Sequence, residues 1–192
     1  MRKVYAFDFD GTITTHDTLL AFIHYAKGTP AFVWGFLRHA HLLVMMKLKL
    51  YPNWKAKQKL FSYFFKEMDL EVFNSLCQNF AAENRQLLRP KGLQLVEQVQ
   101  SEGADVLIVS ASIDNWVQPF FPQVKVLGTQ IEVKDGCLTG RFLTKNCYGQ
   151  EKVNRILALY PDRSDYYLAA YGDSRGDKEL LAFADEAHYQ AL

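Results

Sequence analysis

Three short apolar runs that each stop in polar residues constrain this chain more than any other feature. Residues 3–7 (KVYAF) run straight into Asp8-Phe9-Asp10-Gly11-Thr12. Residues 105–112 (DVLIVSAS) end in Ser110-Ala111-Ser112, and residues 166–174 (YYLAAYGDS) end in Gly172-Asp173-Ser174 with Asp177 close behind. Short, β-prone apolar runs of this kind read as buried strands. Helical patterns stand between them, so the order predicts an α/β domain with a parallel sheet. Ligands of such sheets bind beyond the carboxyl ends of the strands, near a topological switch point. All three polar endings fall there.

The rest of the chain fits around that frame. Residues 91–103 pattern as an amphipathic helix closing on Gly103, 113–121 as a helical stretch, and 124–128 as another parallel strand. Asp135-Gly136 lies between two β-prone runs in residues 129–142, a hairpin signal. Residues 149–160 and 177–185 read as helices, and 187–192 as a last short strand. From Asp17 to about Arg89 the pattern is helical, punctuated by Gly28, Pro30 and Pro52. Within it, residues 69–88 open on Asp69, an N-cap type, and repeat Val72, Leu76 and Phe80 at helical spacing. The expected organisation is a Rossmann-like core of residues 1–13 and 91–192 interrupted by a helical insert of residues 14–90.

At 192 residues, 49% hydrophobic and 22% charged, the chain has the composition of a soluble globular protein. A formal net charge of +1 gives no general affinity for nucleic acid. The insert carries ten Lys/Arg against five Asp/Glu, and the remainder twelve against sixteen. A basic module beside an acidic one suits an insert that meets an anion. Cys77, Cys137 and Cys147 are widely spaced with no CxxC, which speaks against a disulfide framework or structural zinc and fits a reducing compartment. His16, His24, His39 and His41 all fall in the insert, poorly placed for zinc at the strand ends. No apolar signal-like run precedes the first carboxylate. Residues 30–50 are interrupted by Arg38, His39, His41, Lys47 and Lys49, short of the roughly 18 clean apolar residues of a spanning helix. A cytoplasmic protein is expected.

Two carboxylates one residue apart at a buried strand end repel each other and raise one pKa. A cation can neutralise them, one can stay protonated and work as an acid, or both can simply cap turns. Gly11 and Thr12 add a tight turn with exposed N–H groups and a hydroxyl, which makes an anion nest. Asp173 and Asp177 bring two more carboxylates, although helix capping by Asp177 or Ser174 explains part of that motif. Four carboxylates at two strand ends suit a hard, oxygen-loving cation such as Mg²⁺. Ser110 and Lys152 are uninformative alone. Together with the carboxylates they converge on the needs of one phosphoryl group.

In that order these motifs resemble the haloacid dehalogenase superfamily of phosphohydrolases. Asp8-Phe9-Asp10-Gly11-Thr12 stands as the first motif, Ser110 as the second, Lys152 as the third, and Gly172-Asp173-Ser174 with Asp177 as the fourth. The insert after the first motif matches the family's first type of cap, and VKDGCLTG before the lysine looks like the subgroup containing phosphoserine phosphatase. The resemblance implies a Mg²⁺-dependent phosphatase acting on a phosphomonoester through an aspartyl-phosphate. Asp8 is the implied nucleophile and Asp10 the acid and base. Mg²⁺ is held by Asp8, the Asp10 carbonyl and Asp173, with Asp177 and Ser174 behind them. Thr12, Ser110, Ala111 and Lys152 are the implied phosphate-binding groups. Caps of this type move, with Gly28 and Lys91-Gly92 as expected hinges.

Substrate is less defined. Phosphoserine phosphatases carry a glutamate at the cap entrance where this chain has Asp17, and a glycine pair where it has Ala111-Ser112. Asp17 thereby becomes a candidate specificity residue, and phosphoserine itself is not favoured. Trp34, Phe36, Leu37, Leu42, Leu43, Val44, Met45 and Met46 crowd one region, followed by Lys47, Lys49, Lys55, Lys57 and Lys59. They read either as a helical bundle with an apolar core and solvated lysines, or as a cap for a lipid phosphate with peripheral membrane contact. A phosphotransferase or phosphomutase of the same superfamily, or an idle binding scaffold, are the competing functions.

Overall fold

A computed structural model describes residues 1–192. The chain forms β1 (Arg2–Phe7), then a helical group of α1 (Thr18–Arg38), α2 (Ala40–Lys47), α3 (Asn53–Phe65) and α4 (Leu70–Glu83). It continues with α5 (Pro90–Ser101), β2 (Asp105–Ile113), α6 (Asp114–Val117), β3 (Lys125–Thr129), β4 (Ile131–Lys134) and β5 (Cys137–Phe142). Last come α7 (Gln150–Leu159), β6 (Tyr166–Gly172), α8 (Lys178–Phe183) and β7 (Glu186–Tyr189). Five strands make a parallel sheet in the order β3-β2-β1-β6-β7. This is the α/β architecture with a parallel sheet expected from the sequence, with β1 at its centre.

Both faces of the sheet are covered, and the residue alternation shows it. Val4, Ala6, Leu107, Val109, Leu168 and Ala170 point to one side, where they pack with Ile156 of α7 and Leu180 of α8. Phe7, Val106, Ile108, Ala169 and Tyr171 point to the other, against Val96 and Val99 of α5. Register then fixes the site. Phe7 pairs with Ile108 on one side and with Tyr171 on the other, so β1 and β6 end at one level while β2 runs on past Ser110 to Ile113 at the same edge. The next residue, Asp8, is tied there by its N–H to the Tyr171 carbonyl at 2.9 Å.

The helical group is continuous with the second core. Phe22 of α1 stacks on Trp116 of α6, ring centroids 5.0 Å apart, and Phe80 of α4 meets Phe120 edge-on at 5.8 Å. Phe61, Phe65 and Phe73 complete that aromatic cluster. The two chain segments entering and leaving the group run side by side: Thr15 N–H bonds to the Leu87 carbonyl and Arg89 N–H to that of Ile13.

Several local expectations are corrected. Asp69 does cap α4, accepting from Glu71 and Val72 N–H groups, but the buried stripe is Phe73, Cys77, Phe80 and Ala81; Val72 faces solvent. The larger aromatic side chain, one position on, decides which face docks. Trp34, Leu37, Val44 and Met45 are exposed, not in the insert's core, because phenylalanines of α1, α3 and α4 already fill it. Lys57 is not a solvated lysine. Asp135 and Gly136 both take positive φ in a tight β4–β5 turn. The hairpin leaves the sheet and bonds to the α3–α4 junction, with Glu67 N–H on the Leu138 carbonyl and Leu138 N–H on that of Met68.

Candidate active site

The strand ends bring Asp8, Asp10, Gly11, Ser110, Ala111, Lys152, Asp173, Ser174 and Asp177 to one cleft of about 440 Å³ between sheet and helical group. Asp8 is the residue after β1 and is buried. Asp10 and Gly11 follow in a tight turn, Gly11 at φ +82°. A Cβ at Gly11 would collide with the Asp173 carboxylate, so glycine is required both by conformation and by that approach. Thr12 donates its hydroxyl to Asp173 Oδ1 at 3.2 Å, which joins the ends of β1 and β6.

Lys152 lies in the first turn of α7, buried, with Nζ 2.6 Å from Asp8 Oδ1 and 2.5 Å from Asp177 Oδ1. Burial works against its charge, but Asp8 and Asp177 outweigh that and raise its pKa. The same burial pushes the Asp8 carboxyl up to about 7; Lys152 opposes the rise, while Asp177 and Asp10 add to it. Asp177 Oδ2 accepts from the Ser174 hydroxyl at 2.8 Å and from the Ser174 and Asp173 N–H groups at 3.0 and 3.3 Å. The capping arrangement of Ser174 and Asp177 is thus present, and it also aims Asp177 at Lys152.

Asp8, Asp173 and Asp177 each bring an oxygen within 4.8 Å of the others. Lys152 and backbone N–H groups occupy the Asp177 oxygens, leaving Asp8 and Asp173 the freer donors. Two carboxylates with all-oxygen chemistry fit Mg²⁺, which takes one or two carboxylates and keeps several waters. Desolvation raises the Asp173 carboxyl too, with Asp177 adding to it, so a cation there relieves a real electrostatic penalty.

Asp10 points elsewhere. Its Oδ1 accepts from Thr18 N–H at 2.7 Å and from the Thr18 hydroxyl at 2.5 Å, and its Oδ2 accepts from the Ser112 hydroxyl at 2.5 Å. Trp116 Nε1–H in turn donates to Thr18 Oγ1 at 3.2 Å. Ser110 sits in the β2–β3 irregularity after Val109, its Oγ accepting from Ser112 N–H at 3.0 Å and its own hydrogen free to donate. Thr18, Ser112 and Trp116 were not singled out as partners of Asp10 from the sequence. Thr18 is only eight residues from Asp10, but Ser112 is 102 residues from Asp10 and Trp116 98 from Thr18, beyond any local pattern.

The wall opposite the strand ends comes from the helical group. Asp17 caps α1 through Leu19 N–H at 2.9 Å and lies on the rim of the cleft. Lys57 of α3 reaches across to the Ala111 carbonyl at 2.8 Å; burial lowers its pKa, and Asp10 and Asp17 oppose the fall. Helical spacing contains the signal for it, since Lys57 shares a stripe with Phe61 and Phe64. Leu43 and Met46 of α2 complete the wall.

The chain is similar to several known proteins. The family described as haloacid dehalogenase-like hydrolase matches residues 5–182. Protein CicA of Caulobacter vibrioides is 34% identical over 191 residues, 96% of this chain and 84% of that one. A Bordetella pertussis Tohama I protein of unknown function superposes with a TM-score of 0.81 at 18% identity, covering 95% of this chain and 86% of the other. A phosphoserine phosphatase with a phospho-aspartyl intermediate analogue superposes at 0.60 and 18% identity, over 95% and 83%.

Proposed function

The chain belongs to the haloacid dehalogenase-like hydrolases, and we propose that it is a Mg²⁺-dependent phosphatase that cleaves a phosphomonoester through an aspartyl-phosphate on Asp8. The observation that carries this reading is the cleft itself, where Asp8, Asp10, Ser110, Lys152 and Asp173 converge from separate elements. An idle scaffold would have no need of that convergence.

Asp8 attacks phosphorus, and the bond from phosphorus to the leaving alkoxide breaks. Asp10 gives that alkoxide its proton, then takes one from the water that hydrolyses the acyl phosphate. Thr18 and Ser112 fix the direction in which Asp10 presents its oxygens. Lys152, Ser110, Thr12 and the N–H groups around Ala111 hold phosphoryl oxygens as charge redistributes. Asp177 holds Lys152 on the side of Asp8. Asp8, the Asp10 carbonyl and Asp173 would hold Mg²⁺, which neutralises the repulsion between a carboxylate nucleophile and an anionic phosphate.

The leaving group faces Asp17, Lys57, Leu43 and Met46. An apolar wall beside one cation favours a phosphate on a partly apolar carrier, a lipid phosphate among them, over a free sugar phosphate. A screen of sugar, amino-acid, nucleotide and lipid phosphates with and without Mg²⁺ tests the assignment. Turnover that needs Mg²⁺ and disappears in Asp8→Asn is expected. Undiminished turnover in that variant would remove Asp8 as nucleophile.

A further inference from the structure

The outer surface of the helical group is unusual in two independent ways. Between Asp17 and Glu67 the chain has eight Lys/Arg and no Asp or Glu, while the rest has fourteen against twenty-one. The same segment exposes large apolar side chains: Trp34 is 63% accessible, Leu37 65%, Leu48 63% and Leu50 70%, with Val33, Val44 and Trp54 beside them in the sequence. A helix as apolar as α2 (AHLLVMMK) normally lies buried. Here none of its residues is buried. So many large apolar side chains exposed on one helical group mark a contact site.

We propose that this face docks on an anionic phospholipid bilayer. Three observations choose a membrane over other occupants. Lys47, Lys49, Lys55, Lys59 and Arg38 are exposed among the apolar side chains, the composition of an interfacial helix whose apolar residues enter the headgroup boundary while cations meet anionic lipid. A second copy presenting the same face would set one acid-free cationic surface against another. The face is also continuous with the cleft, because α2 contributes Leu43 and Met46 to its wall while Val44, Met45 and Leu48 are exposed. No helix is long and apolar enough to cross a membrane, so contact is peripheral. Docking would bring the mouth of the cleft to the headgroup layer, where a lipid phosphomonoester presents its phosphate. The substrate part of this inference rests on the phosphatase reading; the docking does not.

Sedimentation of the full chain with phosphatidylcholine vesicles containing phosphatidylglycerol, against phosphatidylcholine alone, reads docking without turnover. Partition onto the anionic vesicles is expected to exceed that onto neutral ones by about tenfold or more and to weaken as salt rises. Trp34→Asp with Leu37→Asp should lower that partition by about tenfold or more, with turnover of a water-soluble aryl phosphate unchanged. Lys47→Glu with Lys49→Glu provides a second test by charge alone, should the first pair fail to fold. Equal partition onto both vesicles, no partition, or unchanged partition in both variants overturns the proposal. So does a wild-type oligomer that the Trp34/Leu37 variant dissociates, which would make the face an interface between copies. Asp8→Asn should still sediment with anionic vesicles, so failure of docking and failure of the catalytic reading stay distinguishable.

Discussion

Asp8 and Asp10 are neighbours in sequence with different surroundings. Asp8 is buried against a lysine and is short of positive charge, its carboxyl pushed up to about 7 by desolvation. Asp10 accepts three hydrogen bonds from Thr18 and Ser112. That division suits one carboxylate that attacks and one that moves protons. Ser112, from β2, donates its hydroxyl to Asp10. Hydrogen bonds to charged groups are worth about 1.5–3 kcal/mol. Ser112→Ala should therefore lower kcat by roughly tenfold to a hundredfold with little change in KM, and Ser112→Thr should recover part of the loss. Steady-state kinetics on an aryl phosphate measure it; an equal rise in KM would instead place Ser112 in substrate binding.

At the scale of elements, the parallel strands and the edge that carries the site were legible because parallel buried strands leave an unbroken apolar signature and their polar ends mark one edge. The Asp135-Gly136 turn was legible for the same local reason, both residues needing positive φ. What was not legible is how elements meet. Val72, Leu76 and Phe80 satisfy a helical period as well as Phe73, Cys77 and Phe80 do, and only packing against Phe22, Phe61 and Phe65 selects the second face. Phe73→Ala should accordingly cost about 3–5 kcal/mol, against under about 0.5 for Val72→Ala on the exposed side. Thermal melts of the two variants check this, and equal losses would contradict the assigned face. Lys57 escaped for a related reason: in KAKQK it looks like one of three solvated lysines, and the fold turns only that one into the cleft. The same packing bears on motion. Phe22 on Trp116 and Phe80 on Phe120 anchor α1 and α4 to the core, so opening of the cleft is expected chiefly in α2 and the segment beyond Gly28, where the backbone of α1 breaks at φ +73°.

The molecule as a whole joins an acidic cleft, where Mg²⁺ is proposed to bind, to a cationic, apolar outer face. Metal binding is the property that reports on the assembled site, because Asp8 and Asp173 arrive from strands more than 160 residues apart in sequence. Saturating Mg²⁺, at about a hundred times its Kd, should add about 2.7 kcal/mol and raise Tm by about 5–10 °C. The sign with pH follows from Asp8. Its folded, metal-free carboxyl holds a proton up to about 7, and a cation must displace that proton. The Mg²⁺-induced rise in Tm should grow from about pH 5 to 7 and level off above. Asp173→Asn should remove most of it. A shift that is independent of pH, or that survives in Asp173→Asn, would place the cation elsewhere.

Acid-quenching during turnover of a phosphate-radiolabelled aryl phosphate, followed by peptide mapping, tests the nucleophilic role of Asp8 most directly. Label is predicted on the peptide that contains Asp8, dependent on Mg²⁺ and absent in Asp8→Asn. Rapid turnover with no protein-bound label, together with full activity in Asp8→Asn, would contradict it.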